Sequence, residues 1–291
     1  QKENDYYLEI PKALIGREIL VSNKLLQVPQ ELNEAGVNKG INYENKTIKF
    51  EWEKGLNKLN IREQRLTPEV YSFYAMAPSV KDNYINPLIA SLKIEGVSKD
   101  SASVVVKVTN LFNGKDECLN DVFNLINLGT SANSELSRIL SMKAFDNNVA
   151  ATSELTTVVH EGKSKTNITI VVSTSLILLP SRPMMGRLEN QRVGYFTTSR
   201  LHYGDNQPEV ATKNYITRWR LEPKDTAAYM RGELVEPVKP IEFYIDYAVP
   251  ANILPYIKKG ILDWNKAFER AGFKNAVVVH EFTDSMALEG D

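Results

Sequence analysis

Apolar and polar residues alternate along much of the amino-terminal part of the chain. From Tyr6 to about Thr109, apolar positions alternate more often than they recur at helical spacing. Turn-forming breaks such as Gly96-Val97-Ser98 separate the apolar runs. The pattern predicts a series of short strands in this region.

Three pairs of these runs have the order that is typical of antiparallel hairpins. They are residues 46–53 with 57–63, residues 88–95 with 101–109, and residues 151–160 with 166–179. In the second pair, Val104, Val106 and Val108 fall on one face of a strand, so we expect that face to be core. The third pair would turn at Gly162-Lys163-Ser164.

The spacing changes between Lys115 and Phe145, where apolar residues recur at helical intervals. The positions concerned are Leu119, Val122, Phe123 and Ile126, followed by Leu136, Ile139 and Leu140. This spacing predicts two short helices between the second and third hairpins.

The last part of the chain has a strand-helix-strand pattern. A strand begins at Ile241, a helix is predicted from about Asn252 to Ala271, and a second strand runs from Ala276 to Phe282. At 100° per residue, one side of this helix is apolar. That side comprises Ile253, Leu254, Ile257, Ile261, Trp264, Phe268 and Ala271. The pattern predicts an amphipathic helix that packs on a sheet.

Between these regions, residues 222–240 are rich in Pro and charged side chains, which is typical of a connection between domains. We therefore expect an α+β protein with a β-rich domain at residues 1–221, a linker at 222–240, and the strand-helix-strand unit at 241–291.

Composition and charge exclude several classes of function. The chain is 43% apolar and 24% charged, which is ordinary for a folded protein. Its 35 basic and 36 acidic residues give a net charge of -1, so no overall field attracts nucleic acid or anionic lipid. The most apolar stretch, residues 168–179, is too short to cross a bilayer. We expect neither a nucleic-acid partner nor a membrane span.

The residues for a local metal or catalytic site are missing from the sequence. His160, His202 and His280 are the only histidines, and none has a second His or Cys at ligand spacing. His160-Glu161 begins like the zincin motif His-Glu-x-x-His, but Ser164 takes the place of its second histidine. His160 is therefore expected to be a surface residue of a hairpin. We predict no catalytic, cofactor-binding or metal-binding residue in this chain.

Two further motifs were considered as candidate sites. The single cysteine, Cys118, excludes an internal disulfide and is expected to be half buried on a short helix. The run Arg218-Trp219-Arg220 could stack a base or clamp a carboxylate. In a strand, however, such a run usually indicates a buried Trp between two solvated Arg side chains.

Several blocks of the sequence resemble a family of bacterial zinc-dependent metalloproteases, in which a long amino-terminal domain of unknown function precedes a metzincin-like (Met-zincin) catalytic domain. The blocks are RVGYF at residues 192–196, WRLEPKD at 219–225, FYID at 243–246 and IKKGILDWNKAFERAGFKNA at 257–276. A fainter similarity covers LEIPKALIGREIL at 8–20 and IKFEWE at 48–53. The last long block is the most specific because its length and order are hard to reach by chance.

The resemblance implies that residues 241–291 are the truncated opening of the catalytic domain. The zinc-binding helix with His-Glu-x-x-His, the third ligand and the Met-turn would follow later in such a protein. The chain alone is then expected to hold no cofactor and to be inactive, whereas the full-length parent would bind Zn. Its expected partners are the downstream catalytic domain of the same polypeptide and a peptide or protein substrate. Members of the family are exported, so we expect a secreted, periplasmic or bacterial cell-surface location.

The role of the amino-terminal part remains open among several alternatives. It could be a scaffold for the protease domain, a substrate-recognition module, or a latency module that places Cys118 or Asp205 on the zinc. A different class of function is a surface module that binds glycan or protein. An exposed aromatic cluster around Tyr71, Phe73 and Tyr74 would favour that class, and burial of these rings would count against it.

Overall fold

The structure of this chain is a computed structural model that describes residues 5–115, 119–126, 128–162, 164–204 and 209–282. It divides into two compact units. The first comprises Gln1–Pro183 with Arg200–Lys213, and the second comprises Met184–Ser199 with Asn214–Asp291. This division differs from the predicted one, which ran through the segment 222–240.

Strands dominate the structure, as the alternating pattern predicts. In chain order they are β1 (Tyr7–Pro11), β2 (Glu18–Gln27), β3 (Asn42–Glu53), β4 (Lys58–Gln64), β5 (Glu69–Val70), β6 (Leu88–Val97), β7 (Ser103–Lys107), β8 (Arg138–Ala144), β9 (Asn148–Glu161), β10 (Ser164–Leu178), β11 (Thr197–Tyr203), β12 (Ala211–Ile216), β13 (Ile241–Ile245) and β14 (Val277–Glu281). The helices are short: α1 (Gln30–Glu34), α2 (Ala77–Asn83), α3 (Thr226–Met230), α4 (Leu254–Leu262) and α5 (Asn265–Arg270).

A nine-stranded sheet forms most of the first unit, in the order β1-β7-β6-β4-β3-β2-β10-β9-β8. Every neighbouring pair in this sheet is antiparallel. The sheet curls into a half-barrel. Its two edge strands are β1 and β8.

The three predicted hairpins are confirmed. β3 pairs with β4 around a 3₁₀ turn at Lys54–Leu56, and Asn57 closes this turn with a left-handed φ of 52°. β6 pairs with β7, and β9 pairs with β10 along nearly their whole length. Asn tolerates the left-handed conformation better than most residues do, which suits it to the position after a tight turn.

One face of the half-barrel sheet carries the main core. Val104, Val106 and Val108 lie there with no more than 1% exposure, as the period-two pattern predicts. They pack in one cluster with side chains from the central strands, such as Ile48 and Ile61. The curled sheet therefore buries one face of its own strands without a covering layer of long helices.

The two helices predicted between Lys115 and Phe145 are wrong for the residues that the structure describes. Residues 138–144 form β8, which pairs with β9. Residues 119–126 contain turns, although Val122 and Phe123 are fully buried in a second apolar cluster with Leu155 and Ile170. The apolar spacing therefore indicated residues that are buried against the sheet without being helical. We call residues 119–126 the cap.

Side-chain hydrogen bonds explain why this cap is not helical. The Asp121 carboxylate accepts hydrogen bonds from the backbone N–H groups of Phe123 and Ala132, at 3.1 and 2.8 Å. Buried Asn23 of β2 donates to the carbonyl of Leu119 at 2.9 Å. These bonds compete with the helical pattern of backbone bonding and tie the cap to the sheet.

A smaller three-stranded sheet has the order β12-β11-β5. β5 and β11 are parallel, with His202 opposite Glu69 and Tyr203 opposite Val70. The helix α2 follows β5 after a turn, and Pro78 lies in its first turn, where a missing N–H is tolerated.

In the second unit, β13 and β14 form a two-stranded parallel sheet. The connection between them contains α4 and α5, separated by Asp263 and Trp264, in place of one continuous helix. Leu254, Ile257, Ile261 and Phe268 are half buried, whereas Trp264 is 65% exposed. The predicted apolar side is therefore correct for these four residues and wrong for Ile253, Trp264 and Ala271, which are exposed.

The segment 222–240, predicted as a linker, packs within the second unit. It contains α3, whose first turn is capped by the Asp225 carboxylate through a 2.9 Å bond from the N–H of Ala228. Ala228 and Val235 are buried against Phe273 and Ala276. These contacts explain why the division between units lies earlier in the chain. No helix among the described residues is both long and apolar enough to cross a membrane.

Candidate functional site

The candidate site is the aromatic cluster, which we define as Tyr71, Phe73 and Tyr74. These residues occupy the turn between β5 and α2 in the first unit. Two successive backbone bonds shape the turn, from the N–H of Tyr74 to the carbonyl of Tyr71 and from the N–H of Ala77 to the carbonyl of Tyr74. Because the backbone reverses within a few residues, the three rings are brought together.

The rings pack against each other, and two of them, Tyr71 and Phe73, stay largely exposed, while Tyr74 is half buried. Tyr71 and Phe73 are stacked at 5.3 Å between ring centroids with 11° between their planes. Tyr74 meets Phe73 edge to face at 4.7 Å. Phe73 is 77% exposed and Tyr71 is 52% exposed. The cluster therefore presents a flat apolar surface whose orientation is fixed by ring-ring contacts.

A polar group borders the cluster on the side of β11. The imidazole of His202 lies edge to face with the ring of Tyr71 at 5.9 Å. His202 is only 8% exposed, and its Nδ1 lies 3.7 Å from Oε2 of Glu69, beyond hydrogen-bond distance. The Nζ of Lys213 is 3.9 Å from the same carboxylate oxygen. An imidazole, a carboxylate and an ammonium group therefore lie next to the aromatic surface.

Two tyrosine hydroxyls lie near the same strand. The hydroxyls of Tyr84 and Tyr203 are 3.3 Å apart. This hydrogen bond raises the pKa of the Tyr203 hydroxyl above its ordinary value, with burial as a smaller cause. Tyr203 therefore remains a neutral hydrogen-bonding group at physiological pH.

Exposed rings beside fixed polar groups are suited to binding. A flat ring can pack against the side chains of a bound peptide or the face of a sugar, while the neighbouring groups accept or donate hydrogen bonds. Large exposed aromatic patches on a folded chain are typical of interaction sites. Among the described residues, no group of three or more His, Cys, Asp or Glu side chains could hold a metal ion.

The other candidate residues of the sequence are dispersed. His160 is exposed at the end of β9, as expected for a hairpin residue, and His280 stacks on Tyr244 at 5.1 Å in the two-stranded sheet. Cys118 and Asp205, the candidate latency residues, lie outside the described residues.

The expectation for Arg218-Trp219-Arg220 is wrong, because this run is not in a strand and Trp219 is 61% exposed. The ring of Trp219 meets Phe243 at 6.4 Å. Arg218 donates to the carbonyl of Met185 at 3.0 Å, and Arg220 pairs with Glu222. The two Arg side chains therefore make contacts within the second unit, while the Trp remains open to solvent.

The sequence pointed to the three rings but not to their polar neighbours. His202 and Tyr203 are far from Tyr71 in the chain and come near it through the parallel pairing of β5 with β11, and Lys213 lies on the neighbouring strand β12. β5 has two residues, which is too short for an alternating pattern to reveal. No local signal in the sequence indicates this pairing.

Two models of known protein families match parts of the chain. A model described as Domain of unknown function (DUF5118) matches residues 1–28. A second, described as Domain of unknown function (DUF5117), matches residues 40–224. No curated protein and no solved structure matches the chain. The second match contains the aromatic cluster and ends inside the segment 222–240. Because it covers more than half of the sequence, the chain belongs to the DUF5117 family.

Proposed function

We propose that this chain is the non-catalytic amino-terminal region of a secreted zinc-dependent metalloprotease, and that it recognises the peptide or protein substrate for a downstream catalytic domain. The observation that carries the recognition role is the exposure of the aromatic cluster. Rings that only stabilised the fold would be buried. Phe73 is instead 77% exposed and held in place by its neighbours.

The second unit supports the protease part of the proposal. Parallel sheets normally have both faces covered and contain several strands, whereas β13 and β14 form a sheet of two strands in the part of the chain that the structure describes. Phe243 and Tyr244 on β13 are exposed. Such a pair is expected at the start of a larger domain, and its sequence contains the blocks that resemble the opening of a metzincin-like domain. The zinc ligands would lie in that larger domain.

Recognition is proposed in preference to latency because of the aromatic cluster. The aromatic cluster offers an apolar surface with an adjacent carboxylate and imidazole, which suits an unfolded polypeptide with exposed apolar side chains. A secreted, periplasmic or cell-surface location belongs to this proposal.

A second candidate function is a surface module that binds glycan or protein without a protease. The same exposed cluster favours it, because aromatic rings also pack on the apolar faces of sugars. The two candidates differ in what the natural gene encodes after residue 291. The protease proposal requires a His-Glu-x-x-His motif on a helix downstream, whereas the surface module does not.

The test uses the protein that the natural gene encodes, assayed on unfolded casein and on a short fluorogenic peptide. With both Tyr71→Ser and Phe73→Ser, we expect KM for casein to rise about tenfold, while kcat on the short peptide stays unchanged. The matched control is Leu56→Ser, which removes another exposed apolar side chain of the first unit. Unchanged KM for casein would contradict recognition by the cluster.

The protease part of the proposal has its own test. It would be contradicted if the natural protein held no zinc and cleaved neither substrate. In that case the surface module becomes the better account. Retention of the chain on immobilised polysaccharides, and its loss in the Tyr71→Ser and Phe73→Ser variant, would then identify glycan as the ligand.

A further inference from the structure

Residues of both edges of the half-barrel border the same two cavities. A cavity of about 260 Å³ is bordered by Leu8 and Ile10 of β1 and by Ala144 and Val149 near the end of β8 and the start of β9, and its floor includes Ile19, Phe50 and Leu176 of the central strands. A second cavity, of about 520 Å³, is bordered by Tyr6 just before β1 and by Arg138 and Ile139 of β8. We call the region of these two cavities, with β1 on one side and β8 on the other, the seam.

The directions of the strands decide how the seam can be closed. All neighbouring pairs of the nine-stranded sheet are antiparallel, so strand direction alternates from β1 to β8. With an odd number of strands, the two edges must run the same way. The cavities agree, because the beginnings of β1 and β8 border one cavity and their ends border the other. β1 and β8 therefore cannot close an all-antiparallel barrel by pairing with each other, whereas one additional strand could pair with both.

Each edge presents backbone groups to the seam. The N–H of Val108 donates to the carbonyl of Tyr6, and the N–H of Lys12 donates to the carbonyl of Ala102. Since bonding alternates along an antiparallel pair, the backbone groups of Tyr7 and Glu9 face away from β7. On the other edge, the N–H of Phe145 donates to the carbonyl of Asn148, so those of Met142 and Ala144 face away from β9.

Apolar side chains near the seam are less completely buried than those on the central strands. Ile48 and Ile61, on central strands, have no exposure. Leu8, Met142 and Val149 pack on the same core but are only partly buried. An inserted strand with apolar side chains at alternate positions would complete this burial.

We propose that the seam binds one extended peptide segment, antiparallel to both β1 and β8, as the tenth strand of a closed barrel. The occupant must have two unpaired edges, because backbone groups face it from both sides. An isolated extended peptide meets this condition. An edge strand of a second copy does not, since one of its edges is already paired. The proposal uses none of the residues of the aromatic cluster and is independent of the proposed function.

The experiment uses a fluorescein-labelled peptide of about seven residues in which valine alternates with threonine, a length typical of a single strand. Saturable binding to the chain is expected in a fluorescence-polarisation titration. Hydrogen exchange should slow at Tyr7 and Glu9 on one edge and at Met142 and Ala144 on the other. Protection of one edge only, or no binding at millimolar peptide, would overturn the proposal.

Two variants of one residue supply the matched control. Glu9→Pro removes an N–H that faces the seam and leaves the bonds to β7, and proline is tolerated on an edge strand in this orientation. We expect at least about tenfold weaker binding for Glu9→Pro and less than about twofold for Glu9→Thr. Ala144→Pro tests the other edge if Glu9→Pro fails to fold. Equal binding by the proline and threonine variants would overturn the proposal. The proposal would also be overturned if a second copy of the chain, and not the peptide, occupied the seam.

Discussion

The half-barrel and the second unit bury their apolar residues to very different degrees. In the half-barrel, side chains such as Ile61, Phe112 and Leu155 have no exposure at all. In the second unit, neither α4 nor α5 contains a buried residue, and the buried cluster around Phe273 has four members among the described residues. Several of its largest side chains, including Tyr256 and Trp264, are exposed.

The contrast follows from the two kinds of sheet. A curled antiparallel sheet faces its own concave side and therefore supplies most of its own core. A parallel pair needs further strands and covering helices before both faces are buried. One region of the chain thus supplies most of its own packing, whereas the other leaves several of its large apolar side chains exposed among the described residues.

The largest effect is expected in the cap of the half-barrel. Phe123→Ala would remove a fully buried ring and leave a cavity between the cap and the sheet, which should cost about 3–5 kcal/mol in the free energy of unfolding. Chemical denaturation measures the loss. The control is Phe73→Ala, which removes an exposed ring and should change stability by about 0.5 kcal/mol or less. A loss below about 1 kcal/mol for Phe123→Ala would mean that the cap is not part of the core.

A smaller effect is expected on the helix of the second unit. Ile261 is half buried, whereas its neighbour Leu262 is 42% exposed. Ile261→Asp should cost about 1–2 kcal/mol, because it places a carboxylate against a partly covered apolar face. Leu262→Asp should cost about 0.5 kcal/mol or less. The fluorescence of Trp264, followed during denaturation, reports on this unit, and equal losses would contradict the observed orientation of α4.

The hairpins could be predicted from the sequence because their signals are local. In β7, alternate valines specify which face is buried, and the turn beside Lys54–Leu56 is encoded within a few residues. Such patterns depend only on neighbours along the chain. The hairpins predicted from them were correct wherever one face of a strand packs on the core.

The cap was mispredicted because buried positions at helical spacing do not require a helix. Asp121 and Asn23 satisfy backbone groups of the cap through side chains, and Asn23 comes from a distant strand. Apolar periodicity carries no information about such bonds. The long helix was also broken at Trp264, which no proline or glycine at that position indicates.

The candidate site was predicted in part. Tyr71, Phe73 and Tyr74 are close in sequence, so their clustering could be expected, but their exposure could not. His202 joins them through the pairing of a two-residue strand, which is set by tertiary contacts. Local sequence therefore identified the rings, and only the fold identified their polar neighbours.

The most direct test of this account is hydrogen exchange of residues 241–281, compared between this chain and the protein that the natural gene encodes. We predict that β13 and β14 exchange far faster than β3 and β4 in this chain, because only Ile241, Ile245 and Val277 of the parallel pair are buried. In a longer protein with the proposed catalytic domain, protection of β13 and β14 should rise by about a hundredfold or more, while β3 and β4 stay unchanged. Equal protection of β13 and β14 in both proteins would contradict the claim that this unit is the opening of a larger domain.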